Sequence, residues 1–397
     1  MDPRSFALSD QMIDVSINLH GEELHFVTKP GLPSWNEVSP STLLLGETVR
    51  LNPDDSILQL GSSQGVLAIL LARQLKHGTL FINDYNDTAL EMTQKSLELN
   101  NISSYRIIRD VEFQPEPNHL YKKVIVQIPK GRQLIRKWLI QAYHAMEIDG
   151  KLFLAGANNA GIQSTIKDAQ SVFGNGRIIG YKKGNRLAEF SKQANLKALP
   201  EWSEIPGIAP GTWVNFDLEV NKRHFSIHSL PGVFSYDHLD SGTEMLLNTI
   251  NISPGEKILD VGCGYGIIGI YAASEGAETV HLVDNNLLAI ASARETLTLN
   301  HINNANVFTG DLLNPIKSHL YNQILSNPPF HAGFKVDYQV AETLIKQSYQ
   351  SLLPGGILSI VAYRFIHYTD LIKAIFGNVS VLKESSQYYV LSGLKSI

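Results

Sequence analysis

The chain has 397 residues, 44% hydrophobic and 18% charged, with a formal net charge of −5. This is an ordinary globular composition, long enough for two or three domains, and its acidic balance excludes a general nucleic-acid coat. The one cysteine, Cys263, excludes an internal disulfide and a cysteine-based metal cluster. No apolar run reaches the ~18 residues that span a bilayer, and the N-terminus lacks a signal-peptide pattern, so a cytoplasmic protein with no membrane partner is expected.

In chain order, residues 13–28 alternate apolar and polar side chains around His20-Gly21 and predict a β-hairpin. Pro40 opens a helix through Val49. Strands are expected over Ser56 to Leu60, Leu80 to Asn83, Val124 to Gln127 and Lys151 to Ala155, with helices over Val66 to Leu75, Thr88 to Leu99 and Gln133 to Met146. Pro200 to Gly211 contains three prolines and two glycines and reads as a linker.

The same order then recurs. A second hairpin is expected over Val214 to Val220 and Phe225 to Ser229. Helices follow near Thr243 to Ile250, Gly266 to Ser274, Leu287 to Leu299 and Val340 to Leu352, and strands near Lys257 to Val261, Val280 to Val283, Asn306 to Thr309, Gln323 to Ser326 and Leu358 to Ala362. Leu353-Pro354-Gly355-Gly356 is a helix stop. Strands alternating with helices predict a parallel sheet covered on both faces.

The two halves are copies spaced by about 200 residues. Ile57-Leu58-Gln59-Leu60-Gly61 matches Ile258-Leu259-Asp260-Val261-Gly262. Asn83-Asp84 matches Val283-Asp284, and Gln127-Ile128-Pro129-Lys130 falls at Asn327-Pro328-Pro329-Phe330. The expected division is a first domain over 1–199, a linker over 200–211 and a second domain over 212–397.

Chemistry concentrates in the second copy. Asp260 to Gly266 runs from a strand through glycines into a helix, where backbone can approach a ligand closely and free N–H groups can receive an anion. The glycines alone also satisfy a dinucleotide pattern. The aspartates add more. Asp260 lies two residues before Gly262, placed to meet the amino group of a methionine. Asp284 ends the next strand 18 residues beyond Gly266, suited to ribose hydroxyls, and Asp311 ends the third, within reach of an adenine amine. Asn327-Pro328-Pro329-Phe330 then forms a stiff lip: the prolines carry no N–H, so the loop offers acceptors to a flat amine, with Phe330 to stack on its ring.

This lip resembles the Asn-Pro-Pro-aromatic loop of S-adenosylmethionine-dependent methyltransferases that act on amines conjugated to a planar system. With Pro231-Gly232-Val233-Phe234-Ser235, Asp240, Gly242 and the three strand-end aspartates, nearly the whole chain resembles the two-domain bacterial guanine-N2 methyltransferases of ribosomal RNA. The resemblance implies an α/β fold of two tandem class I, Rossmann-like, seven-stranded methyltransferase domains, a degenerate copy before an active one. It implies S-adenosyl-L-methionine held by Asp260, Gly262, Gly264, Gly266, Asp284, Asn285, Asp311 and Asn327. It implies a target base held by Asn327, Pro328 and Phe330, with Asp240, Pro329 and His331 beside it.

The first copy departs at these positions: Gln59 replaces the loop acid, Ser62-Ser63-Gln64 replace Cys263-Gly264-Tyr265, and Ile128 and Lys130 replace the first lip proline and the aromatic. It is expected not to methylate. Its half carries 22 basic against 20 acidic residues, the second half 11 against 18. Runs over Lys122 to Lys137 and Arg177 to Lys197 are basic, and Lys122, Lys123, Arg132 and Arg136 are expected to contact RNA phosphates. Ribosomal RNA, free or within a subunit particle, is the expected partner of a monomeric chain. Adenine-N6 or protein glutamine-N5 methylation, a non-catalytic RNA-binding assembly factor, and a nicotinamide oxidoreductase are the competing readings. His224 and His228 share a strand face without further ligands, and no metal is expected.

Overall fold

The computed structural model describes residues 12–19, 21–112, 120–194, 198–328 and 338–397. These divide into two compact units, the second being Val214–Ile397. In the first unit, β1 (Ile13–Leu19) and β2 (Glu22–Thr28) form an antiparallel hairpin. There follow α1 (Pro40–Thr48), β3 (Ser56–Leu60), α2 (Val66–Ala72), β4 (Thr79–Asn83), α3 (Asp87–Leu99), β5 (Tyr105–Ile108), β6 (Tyr121–Gln127), α4 (Arg132–Ala145), β7 (Met146–Ala157), α5 (Ile162–Phe173), β8 (Arg177–Lys182) and β9 (Asn185–Ser191). The sheet order is β5-β4-β3-β6-β7-β9-β8.

The second unit repeats this with β10 (Val214–Val220), β11 (Arg223–Ser229), α6 (Ser241–Leu247), β12 (Lys257–Val261), α7 (Ile267–Ser274), β13 (Thr279–Asp284), α8 (Leu287–Leu299), β14 (Ala305–Thr309), β15 (Tyr321–Ser326), α9 (Tyr338–Ser351), β16 (Leu352–Tyr363), α10 (Tyr368–Phe376), β17 (Ser380–Glu384) and β18 (Tyr388–Leu394). Its sheet order is β14-β13-β12-β15-β16-β18-β17.

Each sheet is mixed rather than wholly parallel. Six strands of each sheet run in one direction, and only β9 and β18 run against them, pairing antiparallel with β7 and β8 and with β16 and β17. The final αββ segment of each copy was not read from the sequence. β17 is exposed along its whole length and so carries no apolar alternation. The central strands are apolar because both faces are covered: Leu259, Ile324, Leu358 and Ile360 are completely buried. α9 ends at Ser351, just before Leu353-Pro354-Gly355-Gly356.

Each hairpin is pinned to the third helix of its unit by matching bonds. Val27 N donates to Ser96 Oγ at 2.9 Å in one, and His228 N to Thr296 Oγ1 at 3.3 Å in the other. Unusual backbone repeats too: Ser34 and Ser235, and Asn101 and His301, are non-glycine pairs with positive φ at equivalent places.

Pro200 to Gly211 is not a free linker. Residues Glu201–Glu204 form a short helical turn, the Arg136 guanidinium lies 4.8 Å over the Trp202 ring, and Ser203 and Ile208 are buried. Apolar groups among the prolines drive this packing, which composition alone conceals.

Candidate active site

In the second unit, register places Val261 beside Val283 and Ser326, and Asp284 beside Thr309. The loops after β12, β13, β14 and β15 therefore leave from one edge of the sheet. They carry Gly262 to Gly266, Asp284 with Asn285, Asp311, and Asn327 with Pro328. β12 lies between β13 and β15, so the chain reverses direction across the sheet here, where open α/β sheets form their ligand crevice. Ser326 Oγ donates to Val261 O at 2.7 Å and ties the two central strand ends together.

The glycine loop is shaped by two carboxylates. Asp284 Oδ2 accepts from Gly264 N at 3.0 Å and its Oδ1 from Asn286 N at 2.8 Å. Asn286 Nδ2 in turn donates to Gly232 O at 2.9 Å, docking the Pro231-Gly232-Val233 segment against the strand end. Asp260 is completely buried, and its Oδ2 accepts from Gly269 N, in the first turn of α7, at 2.9 Å. Among the described residues its buried Oδ1 has no partner, an uncompensated acceptor that a cationic or N–H-bearing ligand would satisfy. Burial, with the nearby Asp284 charge adding, raises the Asp260 carboxyl to about 7.

Gly262 and Gly264 have positive φ of 73° and 57°. Among the described residues, a Cβ at Gly262 would meet nothing within 4 Å, and one at Gly264 only Val233 at 3.9 Å, so open space lies over both. Gly266 differs from expectation. A Cβ there would approach Leu282 and Ala293 at 3.2 Å, so this glycine lets α7 pack closely on the sheet and does not face the crevice. The buried Oδ1 and the open glycine face fit an amino-acid-bearing nucleoside such as adenosylmethionine. Asp311 and Asn285 are half-buried at the same edge.

The Asn327 side chain has one orientation. Its Nδ2 donates to Asp240 Oδ2 at 2.9 Å and to Thr243 Oγ1 at 2.8 Å. A carboxylate accepts, so the amide nitrogen faces Asp240, which leaves Oδ1 as the acceptor end of the amide. Asp240 is the N-cap of α6, its Oδ2 also accepting from Thr243 N at 2.9 Å. Asp240 was expected against the substrate; the structure places it behind Asn327, orienting it. Thr243 was not singled out in the sequence, because it lies 84 residues from its partner. Pro329, Phe330 and His331 lie outside the described residues.

The first unit keeps the scaffold and fills the space. Asp84 Oδ2 accepts from Ser62 N at 2.7 Å, and Gln127 Nε2 donates to Thr42 Oγ1 at 2.6 Å and to the N-cap Ser39 Oγ at 3.3 Å. A Cβ at Gly61 would lie 2.8 Å from Gln127 O, against open space at the equivalent Gly262. Ile128, in place of Pro328, presses within 2.3 Å of a Cβ at Gly156. Gln64 Nε2 closes the turn on Glu37 O at 2.9 Å.

The basic run over Lys122 to Lys137 is not a free cationic face. Lys123 pairs with the buried Asp55, and Lys137 is buried against Glu112. Arg132 and Arg136 both bind Asp168, at 2.9 and 3.1 Å. Of the four residues expected on phosphates, Lys122 and Arg132 are exposed, and Lys122 alone makes no ion pair among the described residues; Lys130, in the same run, is likewise exposed. Among the described residues no helix is long and apolar enough to cross a membrane.

Comparison with known proteins agrees with this geometry. The methyltransferase small domain matches twice, over residues 23–187 and 224–392. A ribosomal RNA small subunit methyltransferase C from Psychromonas ingrahamii is 34% identical over 271 residues, covering 68% of this chain and 74% of the relative. One from Pseudomonas entomophila is 32% identical over 275 residues, covering 69% and 79%. A T. thermophilus 16S rRNA N2 methyltransferase solved with AdoMet and guanosine superposes with a TM-score of 0.81 at 24% identity, covering 96% of this chain and 98% of that one, a likeness of fold.

Proposed function

The chain belongs to the methyltransferase small domain family, with ribosomal RNA small subunit methyltransferases C among its relatives, and from that premise we propose that its second unit methylates the N2 amine of a guanine in 16S ribosomal RNA. The observation that carries the reading is the fixed Asn327 amide, with Oδ1 left as its acceptor end, at the same sheet edge as an open glycine loop.

Adenosylmethionine, when bound, supplies a methyl group on a sulfonium for in-line transfer. Asp260 would receive its amino group at Oδ1, Asp284 its ribose and Asp311 its adenine, with Gly262 and Gly264 giving the backbone clearance. Guanine N2 is a weak nucleophile because its lone pair is delocalised into the ring. Asn327 Oδ1 and the Pro328 carbonyl would accept its two N–H groups, orient the lone pair, and stabilise the positive charge that grows on nitrogen. Because Asp240 and Thr243 hold the amide beforehand, this acceptor needs no reorganisation as charge develops. The methylated amine then loses its proton to water, so no strong general base is required.

The target base must leave its stack, which costs a few kcal/mol unless the RNA is already open. The filled first unit would serve as a platform for the RNA. The test is transfer of labelled methyl to 16S ribosomal RNA, with the product nucleoside identified by mass. N2-methylguanosine is expected with the unaltered chain, and Asn327→Ala should lower turnover on the order of 10²–10³-fold. N6-methyladenosine as the product, or near-normal turnover by Asn327→Ala, would refute the reading.

A further inference from the structure

An aromatic stack stands beside the Asn327 notch, apart from the groups assigned to the methyl donor and the target amine. Phe365, just beyond the end of β16, is 60% exposed, and its ring stacks on Tyr363 with centroids 5.3 Å apart and planes at 25°. Tyr363 lies against Tyr388 at 4.7 Å, and the Tyr388 hydroxyl donates to the Tyr363 hydroxyl at 3.3 Å. Tyr388 in turn packs on the start of α6. A Cβ at Gly242 would sit 3.5 Å from its ring and 3.0 Å from Asp240 Oδ2. The stack and the Asn327 amide therefore rest on the same helix start. β15 and β16 are adjacent parallel strands, so both features emerge at one sheet edge.

The other copy provides an internal comparison. Tyr363 pairs with Tyr388 across β16 and β18, and the equivalent pair across β7 and β9 is Ala157 with Asn185. Two residues beyond Ala157 stands Asn159, where the second unit has Phe365. The whole triad is aromatic in the unit with the open glycine loop and small or polar in the unit whose loop is filled. An isolated exposed phenylalanine would be unremarkable on a protein surface. A phenylalanine held flat by a second ring, next to an acceptor notch for an unstacked base, and missing from the filled copy, is a ready platform for another base.

We propose that Phe365, backed by Tyr363 and Tyr388, stacks on the nucleotide next to the target guanine and holds the RNA strand open at the methylation site. The proposal rests on the reading of the second unit as an RNA guanine methyltransferase. Every base has a π-face, so the platform favours single-stranded RNA without selecting strongly among neighbours. It also replaces part of the stacking that the extruded guanine gives up.

The test uses the full chain and a short single-stranded RNA with one central guanine, carrying 2-aminopurine on its 5′ or its 3′ side. Fluorescence quenching on binding is expected at one of the two positions. Phe365→Trp should keep it; Phe365→Ala and Phe365→Leu should lose it and weaken RNA binding roughly 5- to 100-fold, with adenosylmethionine affinity and melting temperature unchanged. Absence of quenching at both positions in the unaltered chain, or unchanged quenching and RNA affinity in Phe365→Ala, would overturn the proposal. Quenching is read without methyl transfer. Failure of the platform is therefore distinguishable from failure of the methyltransferase reading, which product analysis reports separately.

Discussion

Asp240 serves two residues with one oxygen: its Oδ2 accepts from Thr243 N at the start of α6 and from Asn327 Nδ2 across 87 residues of sequence, each at 2.9 Å. The cap and the proposed substrate acceptor are thus one structural unit. Asp240→Ala frees the Asn327 amide to rotate and should lower kcat about 10- to 100-fold, as losing an outer partner of an ordered ligand side chain does. It should also cost about 1 kcal/mol of stability through the lost cap. Asp240→Asn, whose carbonyl can still accept, should retain more activity. Adenosylmethionine affinity measured alongside should not move, and a matching loss of affinity would assign Asp240 to the cofactor instead.

The buried Asp260 gives a pH dependence whose sign is fixed. Its carboxyl is raised to about 7 by burial, with Asp284 adding. The folded chain therefore holds a proton that the unfolded chain has released between the ordinary carboxylate range and about pH 7. Stability from this group is greatest at low pH and falls as pH rises through that window. A cation bound at Oδ1 favours the ionised form and expels the proton. Adenosylmethionine affinity should therefore rise with pH, up to about tenfold per unit below about pH 7, and level off above it. Asp260→Asn should flatten the profile, and comparing the two chains cancels the cofactor's own ionisation. A slope equal in both would remove Asp260 from the amino-group role.

Equivalent glycines should respond in opposite ways. Gly262→Ala adds a methyl to open space over the crevice at a φ of 73°. It should lower adenosylmethionine affinity at least about tenfold and cost roughly 1–2 kcal/mol in backbone strain. Gly61→Ala drives its methyl to 2.8 Å from Gln127 O and should destabilise the first unit without changing that affinity. Calorimetric binding and thermal unfolding of the two variants check both halves of this expectation.

The basic run calls for a different set of substitutions from those its composition suggests. Arg132 and Arg136 share Asp168, and Lys123 neutralises Asp55, which is 1% exposed. Lys123→Ala leaves the buried Asp55 carboxylate without its cation, held among the described residues only by the Asn52 N–H donors, and should destabilise the fold, by up to about 3–5 kcal/mol, a defect that would imitate lost RNA binding. Lys122→Glu with Lys130→Glu instead tests phosphate contact cleanly. The double variant should weaken RNA binding and reduce the salt slope by about 2 if both lysines meet phosphates, with unfolding unchanged. An unaltered slope would leave these lysines as a solvated face.

The duplication, the central strands and the glycine loop were legible because their signals are local. A strand–glycine–helix sequence and an acid at the next strand end each fall within a few residues and recur about 200 residues later. What was not legible depends on long-range pairing. Asp240 reads as an isolated acid until β15 brings Asn327 to it. Tyr363 and Tyr388 meet only through the antiparallel pairing of β16 with β18, the segment the alternation of strands and helices did not predict. Arg132 and Arg136 look like a cationic stripe until Asp168 arrives on α5. Gly266 matched a binding pattern, yet its free face lies against Leu282 and Ala293. Spacing identifies where glycine is required but not which neighbour requires it.

If one copy holds the methyl donor and the other has closed its pocket, the chain has a single donor site, which calorimetric titration of the full chain with adenosylmethionine counts. One molecule should bind per chain, Asp284→Ala should abolish binding, and Asp84→Ala should leave both stoichiometry and affinity unchanged. Two molecules per chain, or binding that survives Asp284→Ala and vanishes with Asp84→Ala, would contradict it.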